Sequence, residues 1–339
     1  MNAHSSINQT VAVIGAGISG LTCAQRLQDF GFDVTIFEKS RGKGGRMSTR
    51  RSAEGLYFDH GAQYFTVRDQ TFQQHVEEWS LDGIVSLWDA EIGTLSRGQF
   101  EPKDEETLRY VGVPGMNELG RHLARDLDIH LNTLVAPPQR IDGCWQLSDE
   151  QGLPLDEFDY VVTSAPAAQS AELLIETPGL QSIAENVVMT GCWAVMLAFS
   201  DSLGLSFDGA FVEDSPLSWI SKDNSKPGRE QEPETWVLHA STEWSESHLE
   251  NQPQDVLPKL LQAFWQATGV TSCTPLFQTA HRWRYALPTE PLPDRFLFDA
   301  DQKMGACGDW CGGPRVEGAF LSGYSLANEI LTSVQQVSS

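Results

Sequence analysis

Positive charge is scarce in this chain: 23 Lys and Arg stand against 46 Asp and Glu, a formal net charge of −23 over 339 residues. Such a field repels phosphate backbones, which excludes nucleic acid as an expected partner, and an anionic substrate would need a local cluster of Arg and Lys. Long apolar runs are missing too. No stretch approaches the roughly 18 uninterrupted apolar residues of a membrane helix, so a soluble protein with no membrane partner is expected. The opening MNAHSSINQT has neither the basic nor the apolar segment of a secretory signal, and a cytoplasmic location is expected. Cysteine is present without a pattern: Cys23, Cys144, Cys192, Cys273, Cys307 and Cys311 show no CxxC or zinc-ligand spacing, which predicts unpaired thiols and no metal site. No short repeat or low-complexity tract occurs. The polar run 221–234, SKDNSKPGREQEPE, reads as a surface loop.

Near the N-terminus the pattern becomes specific. Val11-Ala12-Val13-Ile14 is an apolar run of the kind that forms a buried parallel strand, and it enters Gly15-Ala16-Gly17-Ile18-Ser19-Gly20 directly. Ile18, Leu21, Cys23, Ala24 and Leu27 then give one helical face, Gly31 can end that helix in a left-handed cap, and Asp33 to Glu38 reads as a second strand. Each part has a task in holding a dinucleotide. Gly15 permits the tight turn, Gly17 lets backbone approach a pyrophosphate, and Gly20 allows close helix–strand packing. The helix start offers the N–H groups of Ile18 and Ser19 to an anion. Glu38, about 20 residues past the glycines, is placed to accept hydrogen bonds from a ribose. This fingerprint does not separate FAD from NAD.

The segment Lys39-Ser40-Arg41-Gly42-Lys43-Gly44-Gly45-Arg46-Met47 is glycine-rich and basic, which a plain dehydrogenase does not need. It resembles the loop that follows the second strand in the FAD superfamily of amine oxidases, phytoene desaturases and protoporphyrinogen oxidases. The resemblance implies that Lys39, Arg41, Gly44, Gly45, Arg46 and Met47 pass near the cofactor, with Arg46 supplying charge-assisted bonds at the pyrophosphate. A second likeness lies at Met304-Gly305-Ala306-Cys307-Gly308-Asp309, followed by Arg315-Val316-Glu317-Gly318-Ala319. There Asp309 is expected at the ribityl region, and a helix start around Glu317, Gly318 and Ala319 faces the flavin, where its partial positive charge suits an anionic reduced ring. Gly318 and Gly323 are read as points of close approach to the flavin or to a neighbouring helix.

In between, a helix is expected from Pro114 through Leu123 and a strand at Ile129-His130-Leu131. Trp145-Gln146-Leu147 and Phe158-Asp159-Tyr160-Val161-Val162 read as strands flanking the turn-rich SDEQGLPLDE, resembling the β-meander of FAD domains, with Val135 near the adenine. The expected fold class is α/β: a Rossmann-type FAD-binding domain over 1–66, 111–168 and 275–339, and a mixed α+β substrate domain over 67–110 and 169–274. The architecture implied is that of amine oxidases and p-hydroxybenzoate hydroxylase.

The resemblance narrows at Phe58-Asp59-His60-Gly61-Ala62-Gln63-Tyr64-Phe65, at Thr235-Trp236-Val237-Leu238-His239-Ala240, at His281-Arg282-Trp283-Arg284-Tyr285-Ala286, and at Gly308-Asp309-Trp310-Cys311. Together these are similar to bacterial renalase-like proteins. That likeness implies hydride transfer from 2- and 6-dihydro isomers of NAD(P)H to flavin N5 and reduction of O2 to H2O2; the FAD is expected to be non-covalent, since both binding motifs are present and no attachment cysteine is recognisable. Gly61, Ala62 and Gln63 join the cofactor candidates. Gln63, Tyr64, His239, Arg282 and Trp283 are the candidate substrate wall, with Arg282 and Arg284 as anion contacts; His239 and Trp283 equally suit a packed core, and His60 can simply pack against its turn. A dihydronicotinamide is already a hydride donor, so no general base is required. Two other readings stay open: a flavin amine oxidase, although neither its lysine nor its aromatic pair can be assigned, and a non-catalytic FAD-binding redox sensor.

Overall fold

The computed structural model describes residues 9–103 and 107–337, and the chain divides into two compact units. The first contains the segment through Arg46, Leu119–Met189 and the residues from Leu287 onward; the second contains Met47–Glu118 and Thr190–Ala286.

The first unit is built on a six-stranded sheet. Its order is Phe296–Asp299, Met304–Cys307, Tyr160–Thr163, Thr10–Ile14 (β1), Asp33–Glu38 (β2) and Asp128–Leu131. All neighbours are parallel except the first pair. Val11, Ala12 and Val13 are fully buried, as the central strand of a parallel sheet demands. The helix Ile18–Asp29 (α1) buries Leu21, Cys23, Ala24 and Leu27, and the chain turns out of it at Gly31 with φ of 94°. The long helix Val316–Val337 packs along α1. At their crossing, a Cβ on Gly323 would run into the Ser19 carbonyl, so the expected close approach is to a neighbouring helix.

The expected meander is present, with one correction. Gln139–Ile141, Cys144–Ser148 and Pro154–Phe158 form a three-stranded antiparallel sheet, so part of SDEQGLPLDE is itself strand. Phe158 to Val162 is not one strand. Asp159 breaks it, because its carboxylate takes the Thr10 N–H at 2.9 Å and its own N–H goes to the Thr10 carbonyl, which hands Tyr160–Thr163 to the large sheet.

The second unit holds a seven-stranded sheet, in the order Phe277–Pro288, Met189–Phe199, Glu234–Ala240, Leu217–Lys222, Gly209–Val212, Ile92–Ser96, Gln99–Pro102. Its apolar core joins Trp193, Val195, Leu197, Trp236 and Leu238 to Val256, Leu260 and Phe264 of the helix Pro253–Thr268.

Four segments fall in the other unit from the one the sequence suggests. Residues 47–66 belong with the second, because the hairpin Thr49–Arg51/Tyr57–Asp59 is anchored there through Asp59. Residues 111–118 follow, since Val111 and Gly112 pair with Ser86 and Val85. Residues 275–286 supply an edge strand of the seven-stranded sheet. Conversely, 169–189 joins the first unit, where Ala171, Leu173, Leu174 and Ala184 pack in one cluster with Ala12, Val161 and Trp310.

No described helix is long and apolar enough to cross a membrane. Because Gly323 meets α1 backbone directly, Gly323→Ala is expected to lower stability by about 1–3 kcal/mol. The measurement is the urea midpoint, and an unchanged midpoint would show slack at this crossing.

Candidate functional site

In the first unit a cradle forms where β1 meets α1. Gly15 adopts φ of 112° and donates its N–H to Phe37 O at 2.8 Å. Gly17 is the N-cap of α1, has no side-chain cap bond and has open space on its Cβ side. The first turn of α1 carries no acidic residue, so its N–H groups face an uncancelled positive helix end. Ser19 Oγ and Thr22 Oγ1 are buried in this helix without partners, which a bound polar group could satisfy. The residues present therefore fit an anionic dinucleotide.

Glu38, at the end of β2, is almost wholly buried and accepts from Ala16 N at 2.8 Å and Ser40 N at 2.7 Å. It holds the turn and the following loop, with lone pairs left for a ribose. The loop closes on the turn through Gly44 N to Ala16 O at 2.8 Å, and Gly45 lies against Gly17 Cα. Arg46 forms a two-pronged pair with Asp309, at 2.8 and 2.6 Å, across 263 positions of sequence. Asp309 follows Gly308, whose N–H donates to Ser322 Oγ at 2.8 Å, so the acid is tied to the long helix as well. Gly318 faces Gly313 O at the start of that helix, and Glu317 and Ala319 are buried beside it. Ile18 and Val135 are buried; Val135 packs with Phe37, Trp145 and Phe158. Lys39 bonds Gln169 at 2.9 Å on the surface, and Arg41 is exposed. Cys311 is buried, and burial pushes its thiol well above the usual range. Met47, Gly61, Ala62 and Gln63 lie in the second unit.

In that unit the run 221–234 departs from expectation: much of it turns inward. Lys226 is 1% exposed. Its Nζ donates to Asp223 Oδ1 at 2.5 Å, Gln63 Oε1 at 3.3 Å and Asp59 Oδ2 at 3.4 Å. Arg229 also donates to Asp59 Oδ2, and to Gly112 O at 2.7 Å. Two cations thus face two carboxylates, which is what makes burial of the stretch tolerable. Burial raises the Asp59 carboxyl, yet Lys226, Arg229 and the donors Thr49 and Met116 outweigh it and hold the group at about 2. Asp223 is pushed up by burial despite Lys226, with the Asp59 charge adding to the rise. A Lys and an Arg interleaved with Asp in SKDNSKPGR was the one available signal, and it reads equally as a solvated loop.

This cluster also corrects the role expected of Gln63. Its Nε2 donates to the carbonyls of Asp59 and Gly61, and its Oε1 accepts from Ser221 Oγ and Lys226 Nζ. Both donors and both acceptor positions are occupied within the protein, so the amide has no hydrogen bond left to give a ligand. Arg282 and Arg284 are likewise committed. Arg284 forms a two-pronged pair with Glu250 at 2.7 and 2.8 Å, and Arg282 reaches Leu249 O and the same Glu250. Tyr64 packs with Trp88, Trp219 and the Arg109 guanidinium.

What the second unit does assemble is a wall of imidazoles. The His60 carbonyl accepts from Trp283 Nε1 at 3.0 Å and faces His239 Nε2 at 3.2 Å. The His60 ring lies 4.8 Å from His281 and 4.9 Å from Trp283, and those two are 4.5 Å apart. His60 therefore does more than pack against its turn, and His281 is a member that the sequence reading quoted without singling out. Burial, then the neighbouring charges, hold His60 at about 3; burial holds His239 and His281 at about 4. At neutral pH all three rings are uncharged. Among the described residues no group of three or more His, Cys, Asp or Glu is placed to hold a metal ion.

Comparison with known proteins gives two family matches: a NAD(P)-binding Rossmann-like domain at 13–79 and a flavin containing amine oxidoreductase over 90–331. An L-amino-acid oxidase of Siganus canaliculatus is 47% identical over 197 residues, 58% of this chain and 29% of that protein. A mitochondrial protoporphyrinogen oxidase of Nicotiana tabacum is 48% identical over 63 residues, 19% of this chain and 12% of that protein. Each match thus spans less than a third of the relative. Among solved structures, cyclohexylamine oxidase from Brevibacterium oxydans IH-35A superposes with a TM-score of 0.75 at 14% identity, covering 97% of this chain and 100% of that one. A putrescine oxidase bound to putrescine gives 0.71 at 12% identity, with the same coverage. At such identities the likeness is one of fold.

Two substitutions probe the two units. Glu38→Ala removes an acceptor shared by two backbone N–H groups and is expected to weaken FAD binding by about 1.5–3 kcal/mol. An unchanged dissociation constant would place the ribose contact elsewhere. Lys226→Met leaves buried carboxylates short of a cation and should cost about 3–5 kcal/mol of stability, read as a lower denaturation midpoint. A midpoint equal to wild type would mean that Lys226 is not their counter-ion.

Proposed function

The chain belongs to the flavin-containing amine oxidoreductase family, and within it we propose an FAD-dependent oxidase that takes hydride from 2- and 6-dihydro isomers of NAD(P)H and reduces O2 to H2O2. The cofactor is FAD. The α1 N-terminus, Glu38, the Arg46–Asp309 pair and the start of Val316–Val337 would hold it. When bound, it supplies a two-electron acceptor for hydride and passes the pair to oxygen.

The observation that carries the reading is the wall of His60, His239, His281 and Trp283. The half-buried His281 and Trp283, edge to face at 4.5 Å with the buried His60 against both, would bound a flat, uncharged ring, and alignment rather than proton abstraction is what such a donor needs. None of these imidazoles is charged at neutral pH, so a neutral dihydropyridine meets no repulsion there. Amine oxidation is the second reading, favoured by the family description. Against it, an ammonium substrate calls for an anion or an open aromatic cage, whereas Asp59 and Asp223 are already bonded to Lys226 and Arg229.

Anaerobic stopped flow, following the flavin's visible band, tests the proposal with each dihydronicotinamide isomer, ordinary NADH and a panel of amines. The expected outcome is bleaching by the 2- or 6-dihydro isomers at least about tenfold faster than by any amine, a difference of about 1.4 kcal/mol in barrier. Rapid reduction by an amine with the isomers inert would turn the assignment to amine oxidation. No reduction by any donor would favour the redox sensor.

A further inference from the structure

In a chain this acidic, most cations of the second unit are matched. Lys226 and Arg229 face Asp59 and Asp223, Arg282 and Arg284 face Glu250, and Arg97 reaches Asp214. Arg51, over the Tyr57 ring, and the exposed Lys259 form no ion pair among the described residues, and neither does Arg50. Arg50 sits half-buried on the hairpin strand Thr49–Arg51, opposite Phe58, and among the described residues its side chain makes no hydrogen bond. Its guanidinium lies within electrostatic reach of His60 and His281.

Those two rings also have unused capacity. His60 is 5% exposed, and its Nδ1 is buried with no partner. His281 makes ring contacts with His60 and Trp283 and, among the described residues, no side-chain hydrogen bond. His281 and Trp283 stand two positions apart on one strand, so both rings share a face. Arg50 is paired across the hairpin with Phe58, two positions before His60, so a guanidinium and two uncommitted imidazoles come from neighbouring positions as donors without an acceptor.

We infer that Arg50, His60 and His281 form an oxyanion-binding site in the second unit, which takes a carboxylate or phosphate group of the substrate. The inference rests on the proposed reading of this wall as the substrate's surface, and it replaces the Arg282 and Arg284 anion contacts that Glu250 removes. Neutral imidazoles donate N–H without adding charge, while Arg50 supplies the planar fork that matches an oxyanion. The other charged or titratable groups facing the site are His239 and Asp59 beside His60, with Lys226 beside His239. An anion that cancels the Arg50 field raises the titration of His60 and His281, so binding tightens as pH falls toward their range.

The test uses the FAD-loaded protein labelled with nitrogen-15 in histidine, titrated separately with inorganic phosphate and with acetate while the ring resonances are followed. The expected result is a saturable shift of the His60 and His281 signals, with the exposed ring of His130 unmoved. Affinity should fall roughly tenfold in Arg50→Met and be largely kept in Arg50→Lys, the loss expected for one charge-assisted contact. Saturation by phosphate alone assigns a phosphate group of the substrate, and saturation by acetate alone assigns a carboxylate. No shift with either anion, or equal affinity in Arg50→Met, overturns the site; should Arg50→Met lose its flavin, the Arg50→Gln variant carries the same comparison. The readout involves no turnover, so a protein that binds phosphate here yet is reduced by no dihydronicotinamide loses the proposed reaction and keeps the anion site.

Discussion

Backbone meets backbone in the first unit with no room for a methyl group between, and the cofactor cradle depends on that closeness. A Cβ on Gly20 would strike the Gly15 carbonyl, and one on Gly323 would strike the Ser19 carbonyl. The first contact seats α1 against the turn that follows β1, and the second lays the long C-terminal helix on α1. With both in place, Glu38 can hold the turn from one side, and Arg46 can reach Asp309 from the other. Donors are thereby fixed around one point before any ligand arrives, which removes much of the ordering cost that binding would otherwise carry.

The second unit meets a different constraint, the burial of charge. Two cations and two carboxylates are sunk where water does not reach, and they are tolerated because they neutralise one another and draw in Gln63, Thr49 and Met116 as further partners. The consequence for chemistry is indirect but definite. Asp59 precedes His60, so fixing that carboxylate fixes the start of the segment that presents the imidazole wall. Rings in that wall stay neutral because their own burial disfavours the cation.

How much of this could be read from the sequence depended on how local the cause was. The turn Gly15 to Gly20, the helix face Leu21 to Leu27 and the acid Glu38 all lie within one βαβ unit, where periodicity and spacing suffice. The Arg46–Asp309 pair joins residues 263 positions apart, and only the likeness of each flanking motif to a known pattern brought both into view. The inward turn of 221–234 is not legible because a polar run carries no mark of where its charges find partners; Asp59, which makes its burial possible, lies far away in sequence. The bonds that occupy the Gln63 amide were hidden for the same reason, since they come from Ser221 and Lys226. The strand read through Asp159 shows the reverse case, in which a single side chain bonded to Thr10 overrides a continuous β pattern.

The interleaving of the two units along the chain sets an order on biosynthesis. Every residue of the second unit has left the ribosome once Ala286 emerges, and its sheet can then close. The first unit cannot. Its central strand is made before any residue of the second unit, yet the strands Phe296–Asp299 and Met304–Cys307, Asp309 and the helix that covers α1 come only afterwards. At about 5–20 residues per second, β1 and α1 wait many seconds for their partners. During that interval the apolar face of α1 is without its cover, so the nascent chain is most exposed to chaperones and to self-association just when the second unit is already able to fold.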